Sequence, residues 1–99
     1  MANRSIGWSK NALKQFEDAI NYISQDSPQN AEKVRSGIIN NIQKIPSHPE
    51  SFPPDKFKLN NNGRFRAFEL YRLRISYYYD DENIRILRVR HTSREPKNY

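Results

Sequence analysis

The residues of this 99-residue chain that could do chemistry crowd towards its C-terminal end. The stretch RVRHTSREPKNY, residues 88–99, holds His91, three arginines, Lys97 and Tyr99, with Val89 and Pro96 its apolar members. Upstream, RFRAFELYRLRISYYY carries Arg64, Arg66 and Arg74 among aromatic residues. Histidine is the residue type whose ordinary pKa lies nearest neutrality, which makes His91 the candidate general acid or base of this half. Arg94, three positions on, and Arg74 are candidates to hold a phosphate, because a planar guanidinium offers a two-pronged fork to anionic oxygens. Tyr99, Tyr77 or Tyr78 could stack on a base. Such a set supports one reaction without a metal, the internal cleavage of RNA. A base takes the 2′-OH proton, an acid protonates the leaving 5′-oxygen, and fixed guanidinium groups stabilise the charge that gathers on phosphorus. Each member alone has a plainer reading. A histidine at a strand end is more often structural, and Arg94 beside Glu95 is ordinarily a solvated pair.

The charge is placed rather than spread. Residues 1–55 hold six basic and six acidic side chains, whereas residues 56–99 hold eleven basic against five acidic, the whole net charge of +6. Eight of those eleven are arginine, and five of the six tyrosines lie in the same stretch. A scaffold half and a polyanion-facing half follow, with Lys56, Lys58, Arg64, Arg66, Arg88 and Arg90 as candidate nucleic-acid contacts. The plainer alternative is a solvated surface kept positive for solubility. No cysteine is present, so disulfides and thiolate sites are excluded and a reducing, cytoplasmic setting is expected. His48 and His91 lie far apart without a carboxylate cluster, there is no glycine-rich phosphate loop, and neither metal nor cofactor is expected. No apolar run reaches membrane-spanning length.

These residues need a frame. One domain over residues 1–99 is expected from the length. Arg4–Trp8 reads as a short strand with Ile6 and Trp8 inward, and Ser9 as a helix cap. Leu13, Phe16, Ile20 and Ile23 then recur at helical spacing. After Ser27 and Pro28, so do Ala31, Val34, Ile38, Ile42 and Ile45, until Pro46 ends the pattern. All eight large apolar residues of the two stripes, Leu13 and Ile23 included, should be buried. Residues 46–63 are a proline-rich loop. Beyond it the period becomes two: Phe65 and Ala67 oppose Arg64, Arg66 and Phe68, and Leu73, Ile75, Tyr77 and Tyr79 oppose Arg72, Arg74 and Tyr78. In NIRILRVRH the alternation slips between Ile86 and Leu87, as at a bulge. The expected fold is α+β. An N-terminal strand leads into an αα-hairpin that packs on one face of a roughly four-stranded, mainly antiparallel sheet, and the arginine-lined face stays open.

Trp8-Ser9…Ala12, Tyr22-Ile23, Ala31…Ile38…Ile42…Ile45-Pro46 and the run GRFRAFEL–YRLRISYYYD–NIRILRVRHTSRE together resemble the RelE/ParE superfamily of bacterial toxins. The resemblance spans about Ile6 to Tyr99, and YRLRISYYYD…IRILRVRHTSR is its most specific piece. It implies a RelE/ParE-like toxin of a type II toxin–antitoxin system, inhibited by a cognate acidic antitoxin in a toxin–antitoxin hetero-oligomer. In the branch that cuts mRNA on the ribosome, Arg74 matches the mid-strand arginine that contacts phosphate. Arg94 matches one on the last strand, and His91 matches a histidine that relatives use as acid/base. Tyr99 falls one position short of that branch's C-terminal tyrosine, and Arg64 and Arg66 stand where it carries lysines. The even helical hairpin is closer to the ParE branch, which poisons DNA gyrase. The expected activity is therefore a metal-independent, ribosome-dependent mRNA endonuclease, with gyrase inhibition by binding as the alternative and a non-toxic nucleic-acid-binding domain as the third reading.

Overall fold

The computed structural model describes residues 4–95 and 97–99. β1 (Ser5–Trp8) leads into α1 (Lys10–Asp26) and α2 (Pro28–Lys44), and after a long loop come β2 (Phe65–Leu70), β3 (Leu73–Tyr79) and β4 (Asn83–His91). Ser9 starts α1: its Oγ accepts from the Ala12 amide at 3.0 Å and donates to the Leu87 carbonyl at 3.0 Å, so one hydroxyl caps the helix and ties it to β4. Ser27 repeats the device on the Asn30 amide at 3.1 Å, with Pro28 in the first turn of α2, where a missing N–H costs nothing.

The strands form one sheet in the order β1-β4-β3-β2, with β1 parallel to β4 and the other pairs antiparallel. The α+β arrangement and the mainly antiparallel sheet agree with expectation. Leu73, Ile75, Tyr77 and Tyr79 of β3 join Phe68, Ile84, Ile86 and Val89 in the core against the helical hairpin. A bulge sits at the expected slip: Tyr77 pairs with Ile86 and Ser76 with Arg88, which leaves Leu87 over. That extra residue returns Val89 to the core side and sends Arg88 and Arg90 to the opposite face, in register with Ser76 and Arg74. The Val89 amide beside the bulge donates to the Gln15 side chain at 2.8 Å, a second tie to α1.

Phe16, Ile20, Val34, Ile38, Ile42 and Ile45 are buried as expected, but Leu13 is 49% exposed and Ile23 half-buried. The apolar stripe of a four-turn helix is wider than the strands beneath it can cover. Ile6 is likewise 37% exposed, because β1 is a short strand at the edge of the sheet. The β2–β3 connection is the two-residue turn Tyr71-Arg72, with φ of +54° and +66°. Both φ values suit a tight hairpin turn that ordinarily uses Asn-Gly, so two bulky residues are held there at a strain of roughly 1 kcal/mol or more each. The Thr92 amide pins the turn by donating to the Arg72 carbonyl at 2.8 Å.

Candidate nucleic-acid and target interface

The loop after α2 crosses the outside of β2 and carries one buried carboxylate to the open face. Pro54 bridges to Arg66, the Asp55 amide donates to the Phe65 carbonyl at 2.8 Å, and the Asn61 amide group donates to the Asp55 and Phe65 carbonyls at 3.2 and 2.7 Å. Held this way, Asp55 is 1% exposed. Its Oδ1 accepts from the Arg74 guanidinium at 2.8 Å and from the Phe57 amide at 3.0 Å, and its Oδ2 accepts from the Tyr99 hydroxyl at 2.6 Å. Burial opposes a charged carboxylate here, but the Tyr99, Arg74 and Phe57 donors outweigh it and hold the Asp55 pKa below the ordinary value.

On the Arg74 side of this carboxylate lies a basic hollow of about 190 Å³. It brings together six of the sequence candidates, Lys56, Arg74, Arg88, Arg90, His91 and Arg94. Lys97 adds a further cation and Glu69 an anion. Arg74 is already engaged: one amino group donates to Asp55 and the other to Glu69 at 2.9 Å. Burial works against its charge, but these two carboxylates more than compensate and raise its pKa. Arg88 donates to the Lys97 carbonyl at 2.6 Å and lies 4.0 Å from the centre of the Tyr99 ring. Arg90 donates to the Glu95 carbonyl at 3.2 Å. The Nε–H groups of Arg74 and Arg88 are buried and have no acceptor among the described residues, so both keep donor capacity for an anionic oxygen.

Several candidates sit elsewhere than expected. Arg66 pairs across the strand with Tyr77 and therefore faces the helical side, where it donates to the Gly63 and Phe52 carbonyls at 2.9 Å each and holds the loop. Arg64 lies on that side too, 5.6 Å from the Tyr79 ring. Neither lies on the open face, because the two-residue period that puts Arg74 outside puts them with Phe68 inside. Lys58 is spent on the loop, donating to the Leu59 carbonyl at 3.0 Å and lying 4.7 Å from the Phe65 ring. Tyr77 is fully buried, with its hydroxyl on the Pro49 carbonyl at 2.7 Å, which leaves it no base to stack on. Arg94 lies past the end of β4, exposed in the turn where its amide meets the His91 carbonyl. The His91 ring reaches the hollow from the strand end, and its Nδ1 contacts the Ser93 hydroxyl at 2.6 Å rather than a carboxylate.

Tyr99 is present but committed. Its amide donates to the Phe57 carbonyl at 3.0 Å, and its main-chain oxygen accepts from the Leu59 amide at 2.8 Å. Burial, and then the hydrogen bond to Asp55, push its phenol pKa well above the ordinary range, so it does not release a proton near neutrality. Tyr99→Phe should cost about 1.5–3 kcal/mol of stability, the worth of a hydrogen bond to a charged group, read as a lower urea midpoint. An unchanged midpoint would mean the Asp55 contact carries no weight. Two residues of this face were missed in the sequence. Asp55 had only the rigid Pro53-Pro54 pair before it as a signal, and Arg85, opposite Tyr78 and exposed, makes no ion pair among the described residues.

The fold recurs in solved structures. One, the chromosomal ParDE toxin–antitoxin system of P. aeruginosa, superposes with a TM-score of 0.71 at 15% identity, over 91% of this chain and 97% of that one. Another, the YoeB dimer of Staphylococcus aureus, superposes with a TM-score of 0.57 at 20% identity, over 91% and 98%. At those identities the likeness is one of fold. No curated protein matches the sequence. The family model described as the ParE toxin of the type II toxin–antitoxin system parDE matches residues 6–96. The chain belongs to this ParE toxin family.

Proposed function

We propose that this toxin arrests growth by binding its target through the open basic face, with DNA gyrase as that target, and not by cutting mRNA. The observation that carries this reading is the Asp55 clamp. An endonuclease of the kind expected from the sequence needs Arg74 free for the phosphorane and Tyr99 or His91 poised for proton transfer. Here Arg74 spends both amino groups on Asp55 and Glu69, and Tyr99 spends its hydroxyl on Asp55. The His91 Nδ1 contacts the Ser93 hydroxyl, and among the described residues no carboxylate pairs with it. The remaining cations, Arg85, Arg88, Arg90, Arg94, Lys56 and Lys97, form a positive surface suited to a target that carries nucleic acid.

The test is a brief induction followed by two measurements in the same cells, mRNA 5′ ends and gyrase-linked DNA breaks. The expected result is uncut mRNA with trapped breaks and an SOS response. His91→Gln should arrest growth as the parent chain does, because binding needs no proton transfer. Cuts inside translated codons with intact DNA, or a steep loss of arrest in a folded His91→Gln chain, would restore the endonuclease reading.

A further inference from the structure

The loop that carries Asp55 ends in Asn60-Asn61-Asn62-Gly63, a run with no part in target binding. The chain has eleven asparagines, and Asn62 is the one followed by glycine. That pairing has a chemistry of its own. The backbone nitrogen after an asparagine can attack the side-chain amide carbon and close a succinimide ring. A following residue without a Cβ leaves that nitrogen least obstructed.

The fold favours the attack here in three ways. The Asn62 side chain is exposed, and its Oδ1 accepts from the Arg64 amide at 3.0 Å, so a fixed donor already faces the oxygen on which negative charge would gather. The Gly63 N–H donates to the Asn61 Oδ1 at 2.8 Å, which draws its proton towards an acceptor. These are two overlapping Asx turns, and they keep the Asn62 side chain folded back along the backbone that follows it. Gly63 has a φ of +92°, and among the described residues nothing lies within 4 Å of where a Cβ would stand, so the ring has room to form.

We propose that Asn62 is a site of spontaneous deamidation, and that this modification loosens the clamp on Asp55. The Gly63 nitrogen forms a bond to the Asn62 Cγ and gives up its proton, and the side-chain nitrogen leaves as ammonia. Water then opens the succinimide at either carbonyl. One product is aspartate. The other is isoaspartate, whose main chain runs through the former side chain and is longer by a methylene. That extra length enters between fixed points. On one side the Asn61 amide group donates to the Asp55 and Phe65 carbonyls at 3.2 and 2.7 Å, and on the other the Gly63 carbonyl accepts from the Arg66 Nε at 2.9 Å. Both sets hold the loop that keeps Asp55 against Arg74 and Tyr99. The reaction needs no target, so it is indifferent to which molecule the toxin attacks.

The test ages the purified full chain in warm buffers from mildly acidic to mildly alkaline pH, with peptide mapping, isoaspartyl methyltransferase labelling and urea unfolding as readouts. Asn62 should lose its amide about tenfold faster than any other asparagine, and faster as pH rises, because the attacking species is the deprotonated Gly63 nitrogen. Asn62→Gln should keep the fold and abolish the reaction at this position, since the longer side chain closes the ring poorly. Fresh Asn62→Asp carries the new charge without the extra methylene. The isoaspartate form should therefore unfold at a lower urea midpoint than this variant. Other asparagines reacting first, or a rate at Asn62 that ignores pH, overturns the site. An isoaspartate chain with the same midpoint as Asn62→Asp overturns the link to the clamp.

Discussion

Asp55→Asn is expected to remove about 3 kcal/mol of stability, read as a fall of roughly 1–3 M in the urea midpoint. The carboxylate side chain is fully buried and its Arg74 partner is 14% exposed, so the pair cannot be replaced by water without moving the loop. Asparagine keeps the shape and can still accept one hydrogen bond. It leaves the guanidinium with the half-exposed Glu69 carboxylate as its counter-charge, and it weakens what Tyr99 and the Phe57 amide were donating to. The pH dependence carries the same signature. The folded-state pKa of Asp55 lies below its unfolded value near 3.8, so its contribution is complete above that value and is lost as pH falls through the folded-state pKa. The stability gap between the parent chain and Asp55→Asn should therefore shrink as pH falls from about 5 into the acid range. A gap that stays constant over that range would show that the charge of Asp55 contributes nothing.

Reversing two charges on the open face should do the reverse, sparing the fold and abolishing growth arrest. Arg85 is exposed on β4 and Arg90 gives one main-chain hydrogen bond, so Arg85→Glu with Arg90→Glu should change stability by little more than about 0.5 kcal/mol each. Binding to a target that carries nucleic acid should fall on the order of a hundredfold, because attraction becomes repulsion at two positions of one surface. Growth curves after induction give the main readout, and earlier elution from a heparin column reports the lost positive field. Full arrest by a folded double variant would remove this face from the toxin's action.

Much of the frame was legible in local chemistry. Ser9, Ser27, Pro28 and Pro46 mark helix ends because their caps and missing N–H groups act within one turn. The step from period 3.6 to period two locates β2 and β3, and the slip after Ile86 marks the bulge at Leu87. The crowding of cations towards the C-terminal end also foretold a basic surface, and six candidates do share one hollow. What stayed hidden depended on partners far along the chain. Nothing near Leu13, Ile23 or Ile6 says that the sheet runs out before it covers them. Nothing near Arg64 or Arg66 says which face of β2 the helices choose.

The site turned on the longest-range contacts. The sequence by itself determined an α+β domain of RelE/ParE type and a positive C-terminal half, because periodicity, capping and net charge are properties of neighbouring residues. Only the tertiary structure decided what those charges are free to do. It set Asp55, read as an ordinary loop residue, against Arg74 nineteen positions away and Tyr99 forty-four away. A buried carboxylate must gather donors to stay charged, and here it engages Arg74 and Tyr99, two residues that the sequence had offered for catalysis.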